Sequence, residues 1–367
     1  MKTLTKHFFL GFVFAGNLLA APESNSKLVV GLKIYGSSAE SEAAHSRVAG
    51  TEVEAAFQDA LLPNVQLNLA GGVQIETGAT QSRWAQEFQP RNVQRLREAV
   101  LQWKPFSVLA LTLGASDQDR LGSPLLLQRQ TFPGAQESVT IPMGHWTLTA
   151  FAQQSVANDT SSLQPWASGT QGLPAFYLER VGVAYSPSPE LKASVQASHF
   201  AFHNLSGPNV WNAQYMGNTI QGKDAASAVF QYGYHGIDVG TSIKARLGRF
   251  SPELKATWLQ NLGAPSGRSQ GWRVTAGMDY EANSSFRFSP QMELFRMESD
   301  AAPAFYNDRV FGHNNRNGFG ARLTAFWPQE GVEIFARWVH AGVIEAHPFQ
   351  SGLDWVQVQL SAQYDVL

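Results

Sequence analysis

Three short motifs in this chain carry the residue types of known chemistry. Gly267-Arg268-Ser269-Gln270-Gly271 spells the G-x-S-x-G turn that presents a serine nucleophile in hydrolases. That chemistry needs a buried strand before the turn and a helix after it, so that the serine sits strained and exposed. The flanks here are Asn261-Leu262-Gly263-Ala264-Pro265-Ser266 and an alternating, strand-like run. A polar hairpin loop is the better reading. Gly217-Asn218-Thr219-Ile220-Gln221-Gly222-Lys223-Asp224 comes close to a phosphate-binding loop. Asp224 stands where a serine or threonine would hold magnesium, and no strand-to-helix context surrounds it. His199, His203 and His235 flank one loop and carry imidazoles able to hold a metal, but no ligand spacing supports the cluster. Solvated loop histidines are the better reading. With no cysteine, the chain has no thiol nucleophile, disulfide or cysteine-ligated metal. The expectation is therefore no reaction, no cofactor and no metal.

A larger set of charges sits in a regular pattern. Glu52, Glu54, Glu76, Lys192, Asp238, Lys244, Arg246, Lys255, Arg273, Asp279, Arg287, Glu293, Arg322, Glu333 and Arg337 alternate with apolar residues along runs of period two. Acids dominate the early runs and bases the later ones. Successive residues of a strand point to opposite faces, so these charges share one polar face while the other face stays apolar. The end of the chain shows it best: Val356, Val358, Leu360, Ala362, Tyr364 and Val366 alternate with Gln357, Gln359, Ser361, Gln363 and Asp365.

About 16 such strands are expected, at 28–37, 48–58, 65–76, 93–103, 106–115, 136–142, 145–154, 175–185, 190–202, 236–250, 253–261, 271–281, 285–297, 317–327, 331–341 and 355–366. The run 93–103 is irregular, because Arg95 and Arg97 share a parity with Val93, Ala99 and Leu101. The run 136–142 is short, and losing that pair would leave about 14 strands. Tight connections are expected at Lys104-Pro105, Pro142–Gly144, Ser186–Glu190, Ser251-Pro252-Glu253, Glu281–Ser284 and Pro328–Glu330. Long polar ones alternate with them near 77–92, 116–135, 155–174, 203–235, 298–316 and 342–354. Aromatic residues flank the short turns (Trp103, Phe106, Tyr185, Phe250, Tyr280, Phe286, Trp327, Tyr364). A second group, Trp258, Trp272, Phe319, Trp338 and Trp355, falls near the long-loop ends. Short turns on one rim, long loops on the other and two aromatic girdles describe a closed antiparallel transmembrane β-barrel, an all-β fold.

Composition agrees. Charged residues are 15%, well below an ordinary soluble protein, and aromatics are 11%. A formal net charge of −2 argues against nucleic acid as a partner. Residues 1–20 form an address. Lys2 and Lys6 precede the apolar run Phe8–Ala15, and small residues follow, as in a secretory signal peptide cut after Ala20. Removing those two lysines takes the formal charge from −2 to −4, and the mature barrel occupies 21–367.

With these features the chain resembles a Gram-negative outer-membrane porin of the general, 16-stranded kind. The resemblance covers residues 21–367 and rests on architecture. It implies a passive diffusion channel for small polar solutes and ions, lodged in outer-membrane lipid. It further implies insertion by the barrel-assembly machinery through the C-terminal strand, and association into a homotrimer. Two departures are visible. The chain ends on Leu367, out of phase with Tyr364 and Val366, where porins usually end on an aromatic residue. The acidic PEFGG-type stretch of the general porins' constriction loop is absent. The expected pore lining is Glu52, Glu54, Glu76, Lys192, Lys244, Arg246, Lys255, Arg273, Arg287, Arg322 and Arg337. The expected constriction is the loop at 116–135, with Asp117, Asp119, Arg120 and Arg129; the loop at 203–235 competes with it. The alternatives are a transporter for specific or hydrophobic substrates and a barrel-anchored surface adhesin. The first would need a plug and an apolar lumen, the second much longer loops.

Overall fold

A computed structural model describes residues 26–42, 44–82, 89–157, 173–205 and 207–366. The expected signal peptide lies outside the described residues. The long strands are β1 (Lys27–Ser41), β2 (Ala44–Leu62), β3 (Val65–Ser82), β4 (Val93–Phe106), β5 (Leu109–Asp117), β6 (Thr131–Met143), β7 (Trp146–Val156), β8 (Ala175–Ser188) and β9 (Leu191–His203). A two-residue ladder, β10 (Ile220–Gln221) with β11 (Val229–Phe230), stands apart. The series resumes with β12 (Tyr234–Ala245), β13 (Phe250–Asn261), β14 (Gln270–Asn283), β15 (Phe286–Met297), β16 (Arg316–Trp327), β17 (Val332–Val343) and β18 (Leu353–Asp365). Sixteen of these form one closed antiparallel barrel, sealed where β1 pairs β18 with Ile34 opposite Leu360. The short run expected at 136–142 is a full strand, so the 14-stranded alternative falls away.

Alternation decides which way each strand faces. Ile34, Val358 and Met292 are 48%, 52% and 66% exposed on the outside of the barrel, where only lipid would welcome them. Their sequence neighbours Lys33, Gln357 and Gln291 face in. Closure leaves no strand edge unpaired, the condition for a sheet to sit in hydrocarbon. Aromatic pairs fix the two girdles. Trp146–Tyr185, Phe250–Tyr280 and Phe286–Trp327, with ring centroids 4.3, 5.0 and 5.3 Å apart, mark the short-turn end. Phe319–Trp338 at 5.2 Å, and Trp258 opposite Trp272, mark the other.

Several expectations need correction. Trp355 is not a girdle residue; it is 7% exposed and packs inside the barrel with Phe295, Phe311 and Val339. The turn expected at Ser251–Glu253 lies at Gly248–Arg249, because Gly248 supplies the left-handed φ of +64° that the reversal requires. The turn expected at Lys104-Pro105 lies at Ser107–Val108, and Pro105 sits at a bulge between Trp103 and Phe106. Two connections on the long-loop rim are short: residues 42–43 between β1 and β2, and 262–269 between β13 and β14. The irregular run 93–103 has a physical reason. Ala70 opposes Glu98 while Gly71 opposes Leu96, so Arg97 is an extra residue in the ladder. The bulge shifts the parity, and Leu96 and Leu101 both face outward while Glu98 and Val100 are buried inside.

The lumen departs most from a simple polar-in pattern at the long-loop end. Phe176, Leu178, Phe200 and Phe202 face inward, and each is at most 6% exposed. They receive Leu125, Leu126 and Leu127 from the connection between β5 and β6, together with Ala301, Ala302 and Tyr306 from the connection between β15 and β16. Two loops are thus folded into the barrel and held there by burial of apolar surface. On the β15–β18 side Phe311 fills a second apolar cluster with Phe295, Val339, Leu353 and Trp355.

Candidate functional site: a constriction lined by arginines

The first inward loop is fastened at its neck. The Gln118 N–H donates to the Gln130 carbonyl at 2.9 Å, which brings residues 118 and 130 together. Asp117 accepts the Asp119 N–H at 3.0 Å and the Arg97 guanidinium at 2.7 Å. The Asp119 carboxylate takes the Arg129 N–H, and its other oxygen lies 3.4 Å from Arg97. Arg129 has φ of +54°, a conformation that costs a residue with a β-carbon of order 1–3 kcal/mol. The bond from its own N–H to Asp119 offsets that cost and fixes where its side chain leaves the backbone. Deeper in the barrel, Ser123 donates to the buried Asp238 at 2.7 Å, and Arg180 donates to the Leu121 carbonyl at 2.5 Å.

The second inward loop is tied to the first and to a third. The Gln128 N–H reaches the Tyr306 carbonyl at 2.8 Å, and the Asp308 N–H reaches Pro124 at 3.3 Å. Asp308 caps a one-turn helix, Arg309–Phe311, by accepting the Val310 N–H at 2.9 Å. That turn anchors Phe311 in the apolar cluster and carries Arg309 two residues before it. From above, Asn218 donates to the Tyr234 hydroxyl at 2.9 Å and the Ser299 carbonyl at 2.7 Å, while Thr219 donates to Asp300 at 2.8 Å. The stretch that resembled a phosphate loop is a staple between the loops at 207–233 and 298–315.

What remains open at this level lies against β3 and β4. A cavity of about 140 Å³ is lined by Gln74, Arg91, Arg95, Gln128, Arg129, Phe305, Asp308, Arg309 and His313, among others. Its four arginines arrive from four separate places: the connection after β3, strand β4, the neck of the first loop and the turn of the second. Arg95, Arg129 and Arg309 make no ion pair with a carboxylate among the described residues. Burial, and then the positive charge of Arg129, lowers the pKa of Arg309, with Glu76 acting in the opposite sense. A guanidinium stays charged under such a shift, so the positive charges are held close together. Glu76 organises the edge of the cavity. It accepts the Tyr35 hydroxyl at 2.5 Å, the Gln74 amide at 2.6 Å and the Arg91 N–H at 2.8 Å. Tyr35 in turn lies flat over Gly50, where an added Cβ would stand 2.4 Å from its ring.

Beside these arginines on the barrel wall, Glu54 stands opposite Gly72, which in turn stands opposite Arg95. Lys33 bonds Glu54 at 2.6 Å and lies 3.5 Å from Glu52, while Arg97 is shared by Glu54, Asp117 and Asp119. Two cations thus face four carboxylates. Below them opens a cavity of about 590 Å³ lined by Lys27, Glu54, Asn68, Arg97, Glu98, Gln102, Asp117 and Arg120.

The residues picked out from sequence fall into distinct settings. Glu52, Glu54 and Glu76 are on the β2–β3 wall beside the constriction. Asp117, Asp119 and Arg129 form the neck of the first loop, and Arg120 reaches from it to Glu98. Arg273 and Arg337 both bond Glu293, at 2.7 and 2.6 Å, and both lie over the Phe311 ring. Arg322 pairs with Glu333 at 3.2 Å and Arg287 approaches Glu281 at 3.6 Å. Lys244 pairs with Asp279 at 2.7 Å and Lys255 with Glu253 at 3.0 Å; Lys192 faces the wide lower lumen. Arg246 is at the short-turn rim, paired with Glu281 at 3.0 Å. The expected separation of acids onto one wall and bases onto the other is not observed, because every strand region supplies both signs. His199, His203 and His235 lie on the outward face, beside the inward Phe200, Phe202 and Tyr234. Ser269 is buried in the loop leading into β14, and a strand rather than a helix follows it.

Arg91, Arg95 and Arg309 were missed from sequence. Arg95 was masked by the bulge at Arg97, and Arg309 lies in a loop whose inward fold has no local signature. One signal was present. Along β9 the large apolar residues change parity, from Leu191 and Val195 to Phe200 and Phe202, which announces an apolar patch inside the barrel.

No family model matches the chain, and no curated protein matches it. Among solved structures it is similar to Pseudomonas putida OprB in its high-pH form, with 11% identity, a TM-score of 0.60, and coverage of 93% of this chain and 94% of that one. It is also similar to OmpTdeltaL8, a loop L8 deletion mutant of the Vibrio cholerae outer membrane protein OmpT (8% identity, TM-score 0.54, 93% and 99% covered). Pseudomonas aeruginosa OccK5 (OpdH) gives 10% identity and a TM-score of 0.51 over 93% and 98%. At such identities the likeness is one of fold: a closed outer-membrane barrel.

Proposed function

We propose that this chain is an outer-membrane channel for passive diffusion of small polar solutes and ions. The observation that carries the reading is the form of the lumen. Folded loops fill one side of a 16-stranded barrel with apolar side chains, and a charged, polar passage remains against β3 and β4. A barrel of this size encloses water unless loops narrow it. The narrowing is held by buried contacts, so it is a fixed filter. In this reading residues 1–20 direct export, residues 21–367 form the mature barrel, and β18 presents the chain to the assembly machinery. No reaction is assigned, since Ser269 is buried and carries no catalytic setting. In the same reading three copies associate into a homotrimer. Liposomes bearing the purified protein should swell in small sugars and salts and resist larger oligosaccharides. Liposomes that remain impermeable to all of them would overturn the channel reading.

A further inference from the structure

We propose that the outer face of β6–β9 and β12 is where copies of this chain meet, Glu137 and Glu179 of one copy against His199 and His235 of the next. This rests on the homotrimer reading and adds the contact to it. One rung of the barrel runs Leu111, Glu137, Ala152, Glu179, His199 and Ile237 across the six neighbouring strands from β5 to β12. The residues beside these in sequence face in: Gln136 bonds Gln153, Arg180 bonds Ser198, and Asp238 takes Ser123 of the first loop. Alternation therefore turns the rung outward, and Glu137 and Glu179 are exposed there. Apolar side chains surround them on the same face: Ile141, Leu113 and Val181 are 43%, 60% and 64% exposed. Neither carboxylate makes a hydrogen bond or ion pair among the described residues, and Glu179 does not bond His199 across the ladder.

The other acids and arginines on the outer face of the strands, among the described residues, are matched within the chain. Glu40 meets His45 and Arg47, Arg296 meets Glu298, and Asp354 meets His340. A charge turned toward hydrocarbon without a partner is disfavoured. The same sector supplies the match. His199 and His235 stand on β9 and β12 beside the acids, and an imidazole N–H donates to a carboxylate whether the ring is neutral or charged. Acids thus occupy one side of the patch and imidazoles the other. Around a threefold axis along the membrane normal, the acidic side of each copy meets the imidazole side of the next, and the contact closes. Low bulk assists it. Ala135, Ala150, Ala152, Ala193 and Ala197 point outward here, where β14–β17 present Trp272, Met292, Phe319 and Trp338. Small side chains let membrane segments approach closely.

The test is the mass of the full-length mature protein in mild detergent, by light scattering, with cysteine cross-linking in proteoliposomes. The wild type should have the mass of a trimer. Glu137→Leu combined with Glu179→Leu should bring it to that of one chain, with the barrel still heat-modifiable. Were these acids merely turned to lipid, the two leucines would leave the oligomer as it was. Glu179→His with His199→Glu exchanges the partners and should keep the trimer; monomers there overturn the pairing. Cross-linking leaves every charge in place and serves should the leucine variant fail to assemble. The chain has no cysteine, and Val181 on β8 and Val358 on β18 are exposed eight strands apart around the ring of sixteen. A short bismaleimide should join copies through Val181→Cys and leave Val358→Cys unjoined. Joining through Val358→Cys alone, or an oligomer undiminished by the two leucines, overturns this face while association stands. A wild type with the mass of one chain overturns association itself, and this face with it, without touching the channel reading.

Discussion

The arginines that line the β3–β4 passage and those on β14–β17 are alike in residue type and in facing the lumen, yet they sit in opposite circumstances. Arg273 and Arg337 converge on one carboxylate, Glu293, and stack on Phe311; Arg322 lies 4.3 Å over the Phe335 ring and pairs with Glu333. Arg273 and Arg337 hold the wall to the inward loop through Phe311, and Arg322 ties β16 to β17. Arg95, Arg129 and Arg309 have no such carboxylate among the described residues and border open space. Lumen position alone therefore does not make a charge act on a solute. What decides is whether a neighbouring strand has already neutralised it, and whether a loop has covered it.

The comparison breaks most completely if the filled side is emptied. Leu126 is fully buried among Phe132, Phe176 and Phe200, and Leu126→Asp would bury an unpaired charge there. The first loop should leave the lumen, and single-channel conductance should rise several-fold with loss of the constriction. Conductance equal to wild type would mean the loop does not narrow the passage. The next effect concerns the outer face. Leu69→Arg turns a charge toward lipid at a cost of about 2–4 kcal/mol near the midplane, whereas Asn68→Arg faces the lower cavity. Heat-modifiable, SDS-resistant barrel should be scarce for the first and normal for the second; equal yields would reverse the facing of β3.

A smaller effect sharpens the contrast between the arginine sets. Replacing Arg95, Arg129 and Arg309 together by Gln should move the reversal potential in a salt gradient toward cations, most clearly at low salt, where screening is weakest. Arg287→Gln with Arg322→Gln should move it less. A larger shift in that second variant would place the filter on the later strands. Smallest of all, Lys255→Gln removes a side chain that is 54% exposed in the wide lower lumen and paired with Glu253. It should leave the reversal potential unchanged and stability within about 1 kcal/mol of the original.

The barrel was legible in the sequence because period two is a local property. Val356 to Val366 states its facing without help from any other strand, and most of the sixteen strands could be read that way, β4 with its bulge being the exception. Where turn chemistry was ambiguous the boundaries moved: Pro252 resembles a turn residue, but Gly248 has the backbone freedom the reversal needs. The constriction was only half legible. Asp117, Asp119, Arg120 and Arg129 stood out as a charged loop. That Arg309 meets Arg129 depends on a second loop crossing the barrel, and residues so far apart in sequence carry no shared pattern. Arg95 was hidden by one extra residue in β4, since a bulge makes a regular stripe look broken.

In the proposed channel, solutes pass along β3 and β4 and the narrowing sits there. The chain has no cysteine, so single cysteines can be placed without competition. Arg95→Cys puts one at the constriction; Ser194→Cys puts one on β9, five strands away around the wide lower lumen. Each is treated, in a planar bilayer, with a bulky anionic thiol reagent while single-channel current is recorded. Modification at position 95 should remove most of the current, and modification at 194 should leave it nearly unchanged. Equal losses, or a larger loss at 194, would contradict the account.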